Sequence, residues 1–171
     1  VAPSSSTTVN STTVSYTLDE NITSGTITFT RTGGAADGSS PHVVNLTGAE
    51  LTSGTNTDIT VVNDPTLVGG SVYSIEFDGT DAAGNTAATV TSTNVTFDIT
   101  NPTISAVAPT TGATVNSTQV SYTLDENLTS GTITFTRTGG TADGSSPHVV
   151  NLTGAELTSG TNTDITVVND P

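Results

Sequence analysis

The chain has 171 residues, with 16 Asp and Glu against two basic residues, Arg31 and Arg137, and a net charge of −14. It has no Cys, Met or Trp, 32% apolar and 4% aromatic residues, and 40 threonines. This excludes disulfide frameworks and thiol or Cys-based metal chemistry, lysine Schiff bases and isopeptide crosslinks, phosphate-backbone binding, and any apolar run near the ~20 residues of a membrane span.

Low hydrophobicity with high net charge is also a signature of disorder. Here the apolar residues alternate with Thr and Ser between glycine-bearing turns, which is the pattern of half-buried strands. In chain order the predicted strands are B at Thr12–Leu18, C at Thr26–Thr32, D at His42–Leu46, E at Asp58–Val62, F at Val72–Phe77 and G at Thr89–Ile99. Strand A is expected at Ile104–Ala108, and its start is missing from the first copy of the repeat described below. Val14, Tyr16 and Leu18 share one face of B; Ile27 and Phe29 point inward on C, with Thr26, Thr28 and Thr30 outward. Tyr73, Ile75 and Phe77 alternate on F, as do Val95, Phe97 and Ile99 on G. Thr47–Leu51 has room for one helical turn at most. Seven short strands in about 100 residues fit an all-β, immunoglobulin-like seven-stranded sandwich, and Gly69–Tyr73 entering F fits a tyrosine corner.

Val1–Pro65 reappears as Val107–Pro171 at an offset of 106, with 58 of 65 positions identical. The differences are conservative or small, such as Ile22 against Leu128. Residues 1–101 therefore read as a first repeat, and 102–171 as a second, partial repeat without strands F and G. The expectation is an excerpt from a longer tandem array.

Val14–Leu18, Gly25–Phe29 and Tyr73–Asn85, together with the Asp-Ile-Thr-Asn-Pro-Thr linker at Asp98–Thr103, resemble bacterial Ig-like tandem repeats of large surface adhesins and other secreted fibrous proteins. That resemblance implies extracellular stalks, often stiffened by calcium at repeat junctions.

Sandwich topology gathers Asp19, Glu20, Glu50, Asp78 and Asp81 at one end of the first repeat, and Asp37, Asp64 and Asp98 at the other. In an array, Asp98 and Asn101 are expected to approach Asp125 and Glu126, and clustered carboxylates repel unless protons or a cation intervene. Oxygen ligands suit Ca²⁺. The candidate metal set is therefore Asp19, Glu20, Asp78, Asp81, Asp98, Asn101, Asp125 and Glu126. The competing reading is a set of solvated loop acids that keep a Thr-rich protein soluble, and the spacing matches no EF-hand.

Thr-x-Thr runs invite an ice- or polymer-binding reading, but they follow strand periodicity, and β-branched Thr suits strands. Seven Asn-x-Ser/Thr sequons, at Asn10, Asn21, Asn45, Asn94, Asn116, Asn127 and Asn151, are acceptors only in a host that glycosylates. Ser40, His42 and Asp37 lie too close in sequence for a triad, whose members converge from distant segments. Arg31 and Arg137 are expected to pair with a nearby carboxylate or to cover apolar surface. No phosphate-binding signature is present.

The sequence thus points to a non-enzymatic, extracellular structural protein that needs no cofactor. Its expected partners are neighbouring repeats and other copies in a fibre, without nucleic acid or membrane insertion. The alternatives are a strand-exchanging subunit of a self-assembling filament, and a module that binds carbohydrate or a surface.

Overall fold

Alternation of apolar and polar residues builds sheets, because successive side chains of a strand point to opposite faces. The computed structural model describes residues 1–61 and 64–165, and the chain is all-β with two short 3-10 turns. It divides into two compact units, Val1–Thr100 and Asn101–Pro171, each with its own core.

In unit 1 the strands are β1 (Thr8–Val9), β2 (Val14–Leu18), β3 (Ile22–Gly34), β4 (His42–Asn45), β5 (Gly54–Ile59), β6 (Ser71–Asp81) and β7 (Val90–Phe97). One sheet has the order β1-β7-β6-β3-β4, and the other pairs β2 with β5. All pairings are antiparallel except β1 with β7. Val14 and Tyr16 of the small sheet share a core with Ile27, Phe29, Val44, Tyr73, Ile75, Val95 and Phe97 of the large one.

β3, β5 and β6 depart from their expected limits, β6 running on from Phe77 to Asp81. β3 is much longer than Thr26–Thr32, because β6 pairs with it from Ile22 to Gly34 and satisfies its backbone throughout. Gly25 makes that approach possible, since a Cβ there would lie 2.9 Å from the Asp78 carbonyl oxygen. β5 spans Gly54–Ile59 rather than Asp58–Val62, and Val62 lies outside the described residues. Its register against β2 shifts between Val14 and Tyr16. Asp58 sits there at φ +50°, a left-handed conformation that a short polar side chain tolerates at a bulge. β1 was not foreseen: two residues without periodicity become a strand only by pairing with β7.

The turn at Gly48–Leu51 forms as one 3-10 turn. The Glu50 carboxylate folds back to accept the Thr47 N–H at 2.6 Å, and the Tyr16 hydroxyl donates to the Glu50 carbonyl at 2.7 Å. Burial, and then Glu50, push the Tyr16 phenol up to about 12.

In unit 2 the strands are β8 (Ile104–Ala108), β9 (Val120–Leu124), β10 (Thr132–Phe135), β11 (His148–Asn151) and β12 (Gly160–Ile165), with a 3-10 turn at Gly154–Leu157. The sheets are β12-β9-β8 and β10-β11. Local anchors repeat those of unit 1: the Tyr122 hydroxyl donates to the Glu156 carbonyl at 2.6 Å, and the Glu156 carboxylate accepts the Thr153 N–H at 2.6 Å. Among the described residues of unit 2 nothing corresponds to β6 or β7. β10 accordingly keeps four residues where β3 has thirteen. Thr114–Val115, the counterpart of β1, is not a strand, and Val115 is 56% exposed.

Candidate functional site

Two places in unit 1 gather polar groups. The first is an open cleft of about 360 Å³ at the end of the unit where β2 turns into β3. Tyr16, Leu18 and Phe77 wall it, and Asp19, Glu20, Asp78 and Asp81 line it. The Tyr16 and Phe77 rings lie 6.1 Å apart in a tilted arrangement. Four of the eight sequence-predicted ligands therefore share this cleft.

Their oxygens are partly spent within the unit. Both Asp81 oxygens accept from Asn85, one from its backbone N–H and one from its side-chain amide, each at 2.7 Å. The Asn85 amide, more than any other partner, holds the Asp81 carboxyl below the usual range. Asp78 accepts the Thr89 hydroxyl. Asp19 and Glu20 are exposed on the turn. Glu50, expected at the same end, is instead buried in its own turn.

Two of the other predicted ligands accept hydrogen bonds within their own units. Asp98, in unit 1, accepts the Thr100 N–H at 2.9 Å. In unit 2, Asp125 takes the Thr103 N–H at 2.8 Å and the Thr103 hydroxyl at 2.6 Å, and these two bonds hold its carboxyl low. Asn101 is exposed and Glu126 half-buried. Among the described residues no three His, Asp or Glu side chains are grouped so as to hold a metal ion.

The second place was not legible as a site in the sequence. Asp37 lies in the turn after β3, with its side chain only 3% exposed. Its Oδ2 accepts the Tyr73 hydroxyl at 2.7 Å and lies 2.7 Å from His42 Nε2, and its Oδ1 accepts the Ser39 N–H at 3.0 Å. The Tyr73 hydroxyl in turn accepts the Val68 N–H at 3.0 Å. Hydrogen bonds from His42, then from Tyr73, hold the Asp37 carboxyl at about 2, while burial raises the Tyr73 phenol. Ser40 takes no part in the network, because its Oγ accepts the Arg31 N–H at 2.7 Å. The network is closed: the Tyr73 oxygen both donates and accepts, and its chemistry is to lock β6 to the turn after β3. The only sequence signal for it was Gly69–Tyr73, the candidate tyrosine corner, which says nothing of Asp37.

The arginines correct an expectation. Arg31 donates from Nε to the Ala35 carbonyl and from Nη2 to the Gly34 carbonyl at 2.6 Å, and Arg137 does the same with Thr141 and Gly140. A tight turn aims two carbonyls at the guanidinium fork, and they take the place of a carboxylate.

No helix among the described residues is long and apolar enough to cross a membrane. Comparison of the chain with family models, with curated proteins and with solved structures finds no match in any of the three.

Proposed function

We propose that the chain is a stretch of a tandem array of Ig-like, seven-stranded β-sandwiches, and that the array gives length and rigidity to an extracellular stalk or fibre of the adhesin type. The observation that carries this reading is the internal copy. A sequence repeated at 58 of 65 positions builds the same local anchors twice, Tyr16 on Glu50 and Tyr122 on Glu156. Serial repetition of a self-contained β unit adds length, whereas a single binding site needs one copy. The closed network around Asp37 supports a mechanical role, because it ties β6, at the centre of the large sheet, to the neighbouring turn. The acidic surface suits a solvated, mutually repelling thread.

The test is electron microscopy of the native assembly. The reading expects threads of uniform beads; discrete globular particles would overturn it. The cleft of unit 1 favours one second reading, a carbohydrate-binding adhesion module, because it sets aromatic side chains beside carboxylates. A glycan array probed with the chain tests this alternative: selective binding that Phe77→Ala or Asp78→Asn abolishes would support it, and no binding would remove it.

A further inference from the structure

We infer that the open edge of β4 is a self-association surface, on which a second copy of this chain pairs β4 with β4 about a twofold axis through Val43. β4 is an outer strand of the five-stranded sheet, paired with β3 alone among the described residues. The Leu46 N–H turns inward to the Gly25 carbonyl at 2.9 Å. Main-chain groups of an antiparallel strand alternate in direction, so Val43 and Asn45 turn theirs to the open side. An unpaired edge of this kind is a template for another strand.

The other outer strands of unit 1 are blunted. β1 has two residues, and Ala2 bridges β2 at Ser15. β5 carries a register shift and the exposed, left-handed Asp58, and a bulge and a charge both protect an edge. β4 has neither device. It holds out Val43 at 57% exposure, and the copy of this edge on β11 holds out Val149 at 59%.

Charge selects the partner. The chain carries −14, so two copies repel over most of their surfaces. The β4 edge is the exception. Between Arg31 and Glu50 the only carboxylate is Asp37, whose side chain is 3% exposed and bonded to Tyr73 and His42. The acids of the large sheet, Glu76, Asp78 and Asp81, all lie on β6, two strands in from β4. With strands about 4.8 Å apart, the two β6 strands of a joined sheet would stand five steps, or about 24 Å, from each other. That is about three Debye lengths in physiological salt. A basic partner would seek the acidic end of the unit, whereas an uncharged edge is matched by its own copy.

Side-chain directions set the register. Residues directly opposite in an antiparallel pair share a face. Val43 against Val43 of the second copy brings two exposed valines together and exchanges two main-chain hydrogen bonds. Asn45 then faces Pro41 of the second copy, whose carbonyl accepts and which has no N–H to give. Four residues a side is far below the ~20–30 of a stable complex. One edge therefore holds weakly, and its recurrence in the second repeat adds avidity.

The chain has no cysteine, so disulfide trapping reads the register directly. Val149→Glu first silences the edge of unit 2. In that background Val43→Cys places two Cα atoms about 5.5 Å apart, within the roughly 4.4–6.8 Å that a disulfide spans. Asn45→Cys places them about 14 Å apart. We expect the Val43→Cys chain to form its disulfide dimer at least about tenfold faster than the Asn45→Cys chain. In sedimentation velocity the unaltered chain should gain mass with concentration. Val43→Glu with Val149→Glu should keep it monomeric, because like charges then face each other. The circular dichroism of that variant should be unchanged, since both side chains are exposed. Equal trapping at the two cysteine positions, or a glutamate variant that associates as the unaltered chain does, would overturn the inference.

Discussion

Phe29 and Phe135 are the same residue of the repeat in two settings, and truncating each measures what β6 contributes. Phe29 is 1% exposed, in a core built from both sheets of unit 1. A buried phenylalanine removes about 150–250 Å² from water, which at ~25 cal/mol per Å² is worth about 4–6 kcal/mol. Keeping the alanine methyl leaves an expected loss of about 3–5 kcal/mol for Phe29→Ala. Phe135 is half-buried, on a strand with no neighbour on its β6 side among the described residues. About half the area is at stake there, so Phe135→Ala should cost about 1.5–2.5 kcal/mol. Scanning calorimetry of the whole chain should show two transitions, with unit 2 melting first because its described core is the smaller. Phe29→Ala should lower the upper transition by about 20 °C, and Phe135→Ala the lower one by about 10 °C. The two sites lie in separate cores, so the double variant should show both losses added within about 0.5 kcal/mol. Equal losses in the two units, or a Phe29→Ala cost under about 1 kcal/mol, would refute the assignment of that burial to β6.

Three further outcomes follow from the geometry. Gly25→Ala should destabilise unit 1 by about 1–3 kcal/mol in urea, because the new methyl meets the Asp78 carbonyl at 2.9 Å. Gly131→Ala should cost less than 1 kcal/mol, since its nearest neighbours are only the ends of leucine side chains. Asp37, held at about 2 against an ordinary 3.8, contributes stability that is present above about pH 4 and is lost as pH falls through about 2. Asp37→Asn should flatten the acid limb of the unit 1 stability curve over that window, and an unchanged limb would count against the network. Tyr16, raised from 10 to about 12, contributes stability that is present below pH 10 and is lost as pH rises through about 12. Tyr16→Phe should abolish that alkaline loss, and should cost about 1–1.5 kcal/mol at neutral pH by removing the hydroxyl's hydrogen bond to the Glu50 carbonyl.

Period-two alternation was sufficient to place most strands and to say which side chains face inward: Ile27, Phe29, Tyr73, Ile75, Val95 and Phe97 are buried as their alternation implied. The acidic residues were less legible. Asp19, Glu20, Asp78 and Asp81 do reach one cleft, because loops at one end of a sheet pair converge. Counting carboxylates could not show that Asn85 and Thr89 already occupy two of them. Nor could spacing show that Asp37 answers Tyr73, 36 positions away in the chain.

The repeat separates these contributions within one molecule. Thr26–Phe29 and Thr132–Phe135 are the same four residues, and in both copies they lie in a strand with the same alternation and the same register to the next strand. That much is local: side-chain period and β-propensity travel with the sequence. How far the strand extends, whether its phenylalanine is buried, and whether its aspartate finds a phenol differ between the copies. Those outcomes depend on β6, because a strand edge is ordered by the backbone that hydrogen-bonds to it, and a side chain leaves water only when another surface covers it.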